Sequence, residues 1–199
     1  MPRRSLMCAA VLAFFLAVAP AMAQLTGYVE SENHFAEGHN TPYCNLYLDY
    51  GLDQSFGFFS WTAINRETDY EGQWGESYVG VYAKPFSWLQ VGVAYGAERF
   101  DDYEADATVT GGRFGSFLWM GVGRLNLTGY YEDGKSGTWH KEVLDFKIGK
   151  RFHFGAYDQT GLGTGPQVSV DVWHLNILAA VLYSEEIPHK ELLTVRYSF

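Results

Sequence analysis

A histidine beside a serine or a carboxylate can activate a nucleophile or hold a metal, and this chain offers two places to look. His140 lies close in sequence to Ser136 and Glu142, and His34 stands in a polar stretch. A hydrolase working on lipid at a membrane rim needs such a base beside a Ser or Asp nucleophile. Neither a G-x-S-x-G elbow nor an H-E-x-x-H helix accompanies these residues, so they read more simply as strand-end or loop histidines. Asp101 and Asp102 with Glu104 and Asp106 share the composition of a calcium loop but not its alternating ligands, glycine and closing glutamate. The run Gly161 to Gly165 looks like a phosphate cradle, yet Pro166 and a strand follow it where a helix N-terminus is required. No catalytic, cofactor or metal set is therefore assigned.

The other residues with chemical potential are charges on strands, and placing them requires the strands themselves. After Gln24 no stretch is long and apolar enough for a transmembrane helix. Short segments instead alternate. Leu46, Leu48 and Tyr50 oppose Asn45, Tyr47 and Asp49. Leu144, Phe146 and Ile148 oppose Asp145, Lys147 and Gly149, and Val168, Val170 and Val172 oppose Ser169 and Asp171. Strand side chains point to opposite faces with period two, so each segment has an apolar face and a polar or small one.

A soluble sandwich or a membrane barrel produces this pattern. Three features favour the barrel: charges and glycines on the polar parity, aromatics near strand ends (Trp61, Trp74, Trp88, Trp119, Trp139) suited to interfacial girdles, and a last residue, Phe199, on the apolar parity. The expectation is an all-β, closed, antiparallel, up-and-down transmembrane barrel. Strands are expected near 25–35, 42–51, 55–66, 76–84, 88–98, 113–120, 125–132, 139–149, 152–158, 166–173, 177–184 and 189–199. That makes twelve; merging strands within Phe114 to Glu132 or His153 to Thr164 would give ten.

Residues 1–23 are expected to be a leader. Arg3 and Arg4 precede an apolar run from Leu6 to Ala19, followed by Ala21-Met-Ala23. Residues 24–199 then form the barrel. The whole chain has 14 Lys plus Arg against 23 Asp plus Glu, a net charge of -9. Losing Arg3 and Arg4 leaves 12 against 23, or -11, which argues against a nucleic-acid partner. It also leaves Cys44 alone, so no internal disulfide is expected.

The ending Leu193-Thr-Val-Arg-Tyr-Ser-Phe199 resembles the C-terminal strand of Gram-negative outer-membrane β-barrel proteins. That resemblance implies an outer-membrane location, contact with outer-membrane lipid and lipopolysaccharide, and an assembly signal, with Tyr197 and Phe199, read by the barrel-assembly machinery. Both chain ends would then face the periplasm. Asp53-Gln54, Pro85 to Ser87, Gly121 to Arg124, Lys150-Arg151 and His174 to Asn176 become periplasmic turns. The outer loops become Glu37 to Thr41, Glu67 to Gly75, Arg99 to Gly112, Asp133 to Thr138, Gln159 to Gly165 and Glu185 to Pro188. These loops are acidic, which suits either plain solvation or attraction of cations.

Strand parity puts Glu30, Glu32, Asp49, Glu76, Asp145, Lys147, Asp171, Lys190 and Arg196 inside. Inward Gly80, Gly92, Gly96 and Gly149 would leave room, while Tyr28, Tyr47, Tyr78, Tyr82 and Trp173 would take it back. The functional expectation is a narrow channel for small hydrophilic solutes or ions. Glu30, Asp49, Asp145, Lys147, Asp171 and Arg196 line it and give a weak cation preference. By strand count the chain is similar to the twelve-stranded porins for acidic oligosaccharides, whose lumens are strongly basic, and the mixed lumen here argues against an acidic substrate. The alternatives are a non-conducting barrel that binds a surface partner or stabilises the membrane, and a rim-active lipid hydrolase.

Overall fold

The computed structural model describes residues 25–36, 39–65, 73–102, 107–185 and 189–199. The expected leader lies outside them, as do Glu37, Glu67, Asp69, Glu71, Glu104, Asp106 and Glu186. Twelve strands follow in chain order: β1 (Leu25–Ala36), β2 (His39–Gly51), β3 (Phe56–Asn65), β4 (Trp74–Phe86), β5 (Leu89–Asp102), β6 (Ala107–Val122), β7 (Leu125–Gly134), β8 (Gly137–Ile148), β9 (Phe152–Gln159), β10 (Gly163–Val172), β11 (Leu175–Leu182) and β12 (Lys190–Ser198). Each pairs antiparallel with the next, and β12 returns to β1. Closure satisfies the edge groups that lipid could not. It is completed at the chain's end, where Gly27 N donates to Phe199 O at 3.1 Å and Phe199 N to Gly27 O at 3.0 Å.

Both stretches that could have merged are true hairpins, so the ten-stranded alternative is set aside. β6 and β7 turn at Gly123-Arg124, where Gly123 has φ +63, and β9 and β10 turn through Thr160 to Leu162, where Gly161 has φ +79. A positive φ favours glycine because no Cβ is present to clash. Several strands are longer than their alternation suggested. β5 and β6 stay paired up to Asp102↔Ala107, so most of the expected loop from Arg99 to Gly112 is sheet. His39 to Thr41 likewise belong to β2.

The outward faces form an apolar belt. Val79 is 71% exposed, and Val93, Phe146, Ile148, Phe154, Val168 and Leu193 are exposed with it. A continuous surface of this kind needs lipid rather than water. Exposed Phe56, Phe86, Trp88 and Phe152 ring the end that carries the chain termini and short turns, called here the turn end. Tyr95, Phe114, Tyr131 and Tyr183 ring the opposite, loop end. The girdle is thus built mainly from Phe and Tyr. Trp61, Trp74 and Trp139 instead face inward and line a cavity, a correction to the reading of these residues as interfacial.

Two further inward assignments fail. Trp173 has φ +58 and is 96% exposed in the β10–β11 turn, and Gly149 has φ +64 in the β8–β9 turn. Strand parity stops applying once the chain leaves the sheet.

Candidate functional site: the barrel interior and its two mouths

Interior residues reveal themselves by contacts that cross between non-neighbouring strands. On the β2–β7 side these contacts are aromatic. Phe59 meets Phe117 edge-on at 5.0 Å between centroids and stacks with Tyr47 at 6.0 Å. Trp61 reaches Tyr78 at 5.9 Å, Tyr130 at 5.7 Å and Trp139 at 6.1 Å. Glycines on the wall make the room: a Cβ at Gly80 would lie 2.5 Å from the Phe59 ring, and one at Gly92 would strike Phe117. On the β9–β12 side the filling is mostly aliphatic, with Tyr157, Leu162, Ala180, Leu182 and Leu192 buried together.

Above the aromatic layer, toward the loop end, lies a buried ion cluster. Arg113 Nε is 3.0 Å from Glu76 and 3.2 Å from Glu132, and its Nη1 is 3.0 Å from Glu98. Tyr78 OH approaches Glu76 at 2.9 Å and Glu132 at 3.1 Å. The β7–β8 turn folds over this cluster. Lys135 N and Ser136 N donate to Glu98 Oε1, Ser136 Oγ donates to Glu98 Oε2 at 2.5 Å, and Arg113 Nη1 donates to Ser136 Oγ at 2.7 Å. Buried charges persist only when paired and hydrogen-bonded in this way.

A second ionic contact spans the interior. Lys141 on β8 reaches Glu32 Oε2 on β1 at 2.8 Å. Glu32 Oε1 is held by His34 at 2.5 Å and by Gln159 Nε2 at 3.5 Å. Lys141 also lies over the Tyr157 ring, 5.2 Å from its centroid.

Two cavities open at opposite ends. The loop-end cavity has a volume of about 630 Å³; its walls carry Tyr43, Trp61, Trp74 and Trp139, and Glu32, Glu76, Arg113, Lys141 and Lys190 reach it. The turn-end cavity, about 520 Å³, is bordered by Lys150, Arg151, Asp171, His174, Asn176 and Ser198.

The six residues expected to line the interior fall into small groups toward its middle and turn end. Glu30 and Arg196 meet at 2.6 Å, with Arg196 over the Tyr28 ring at 4.2 Å. Lys147 stands 4.0 Å from Asp171, which also contacts His153 at 2.9 Å and Asn176 at 2.8 Å. Asp145 accepts from Gln167 at 2.5 Å. Asp49 stands apart from the others and accepts from Tyr82 at 2.9 Å and Tyr47 at 3.2 Å. Tyr197 lies in the closing strand, opposite Val29 and Leu175, and Phe199 follows that strand with its backbone bonded to Gly27.

Sequence reading missed Arg113, Glu132, Lys141 and Gln159, all buried. Lys141 and Glu132 could have been found by extending the parity of their strands. Arg113 carried no such signal, because aromatics occupy both parities of β6.

The hydrolase residues do not assemble. Ser136 turns inward to Arg113 and Glu98, and His34 binds Glu32. His140 faces outward and bonds Asp158 at 2.9 Å and Thr160 at 2.8 Å. His140, Glu142 and Asp158 each bring a ligand atom to within 4.8 Å of the others on that outer face. Such a trio can hold a cation, and no further feature of the wall points to one.

No family model matches the chain, and no curated protein matches it. Solved structures do. The KdgM porin, and the KdgM porin in complex with disordered oligogalacturonate, each align over 86% of this chain and 99% of their own, with TM-score 0.57 and 13% identity. The CymD monoaromatic hydrocarbon channel aligns over 94% of this chain and 92% of its own, with TM-score 0.49 and 7% identity. At 13% identity the KdgM likeness is one of fold: this chain is a closed, antiparallel transmembrane β-barrel of twelve strands.

Proposed function

We propose that the protein is a narrow outer-membrane channel for small hydrophilic solutes or ions, with a weak preference for cations. The observation that carries this reading is a pair of cavities, about 630 Å³ and 520 Å³, each with charged side chains in its walls, at opposite ends of one closed barrel. The KdgM fold likeness supports it. Acidic side chains outnumber basic ones among the described interior residues, which favours cations and disfavours a polyanion such as the oligogalacturonate in one KdgM structure.

In this reading the leader exports the chain, Tyr197 and Phe199 serve the assembly machinery, the turn end faces the periplasm, and the loop-end girdle meets lipopolysaccharide. Glu30, Asp49, Asp145, Lys147, Asp171 and Arg196 line the path and set its selectivity. The test is conductance across a planar lipid bilayer in a salt gradient. Discrete steps with a cation-selective reversal potential are expected, and Asp171→Asn and Arg196→Gln should move that potential in opposite directions. An unchanged potential in both variants removes the role of these residues.

One observation favours a second reading, a non-conducting barrel. The Glu32–Lys141 pair and the Trp61–Trp139 contact both reach between separated strands. Silence in the bilayer from folded protein would select that reading, with the acidic loops binding a surface partner or the barrel reinforcing the membrane.

A further inference from the structure

We infer, resting on the channel reading, that the Glu32–Lys141 bridge is the constriction that decides which solutes cross. Between β1 and β8 stand β9 to β12 on one side of the ring and β2 to β7 on the other, so the pair joins nearly opposed walls. A circular twelve-stranded barrel with strands about 4.8 Å apart and tilted about 40° has a diameter of about 24 Å. Extended Lys and Glu side chains meeting at 2.8 Å reach across only about 14 Å between Cα atoms. The barrel is therefore flattened at this level, and the bridge is the short axis of its cross-section.

The bridge divides that cross-section into two lobes. The β9–β12 lobe is packed with Tyr157, Leu182 and Leu192, and on the other side Asn45 and Trp61 line the loop-end cavity above the aromatic layer. Both partners line the loop-end cavity. The pair is held in place from each side, Glu32 by His34 and Gln159, and Lys141 by the Tyr157 ring. A fixed pair of opposite charges at the narrowest level acts on passing ions directly, whereas Lys147 and Asp171 near the turn-end mouth act where the lumen is wetter.

The experiment compares Glu32→Gln, Lys141→Met and the double variant with wild type, expressing the full chain and recording from the membrane-extracted barrel in planar bilayers. Unheated gel migration serves as the folding control. Glu32→Gln leaves Lys141 alone and should shift the reversal potential toward anions. Lys141→Met leaves Glu32 and should shift it toward cations. The double variant, neutral and free of a buried lone charge, should raise conductance by about two-fold or more while keeping the wild-type selectivity. A silent wild type with a conducting double variant overturns the channel reading and, with it, the bridge as a solute filter, leaving the bridge as what shuts the native barrel. A conducting wild type matched by the double variant in conductance overturns the constriction and leaves the channel reading standing. Silence from wild type and a folded double variant overturns both.

Discussion

The two lobes on either side of the Glu32–Lys141 bridge are filled by different chemistry. The β2–β7 lobe seats aromatic rings on wall glycines and caps them with Arg113 and three glutamates. The β9–β12 lobe packs Leu162, Ala180, Leu182 and Leu192 around Tyr157. Aliphatic filling is non-directional and tolerates exchange of similar volumes. The ionic cap is the opposite: its geometry is specific, and any member removed leaves charges buried without partners. A twelve-stranded barrel is too wide for one ring of side chains to fill. This one meets the difficulty by flattening and then filling each lobe in its own way.

Breaking the ionic cap should cost most. Arg113→Met leaves Glu76, Glu98 and Glu132 facing one another and should destabilise the barrel by about 3–5 kcal/mol in denaturant unfolding from lipid vesicles. A loss below about 1 kcal/mol would mean the cap is no more demanding than the aliphatic lobe. Leu182→Ala in that lobe should cost about 2–4 kcal/mol, with the cavity term depending on how far Leu192 and Tyr157 relax. Gly92→Ala presses a methyl into Phe117 and should cost about 1–3 kcal/mol, whereas Gly129→Ala, with open space around it, should cost far less. Equal effects at the two glycines would dismiss the seating of rings on glycine. Lys147→Gln, in a half-exposed pair at 4.0 Å, should alter stability by less than about 0.5 kcal/mol, and a larger change would make the turn-end charges structural.

Much of the fold was legible. β12 shows why: Leu193, Val195 and Tyr197 alternate with Thr194 and Arg196, and the buried positions are Lys190, Leu192 and Thr194. In β8, the parity that put Asp145 and Lys147 inside continues to Lys141. The site was less legible, and for identifiable reasons. In β6, Phe114, Phe117 and Trp119 fall on both parities, which hid Arg113. Tryptophan is amphipathic and suits a membrane interface or a polar cavity equally well, so Trp61 and Trp139 could not be placed from their type. Glu32 and Lys141 are 109 positions apart, and nothing local joins them.

The sequence by itself determined the alternation and the apolar belt, and left the strand count at twelve or ten, because strand periodicity is a property of neighbouring residues and lipid imposes it at every turn of the pleat. The tertiary structure alone decided which interior charges meet, which tryptophans face the cavity and where the cross-section narrows. Those depend on strand tilt, on stagger and on the flattening of the closed sheet, which bring together residues that no local pattern connects.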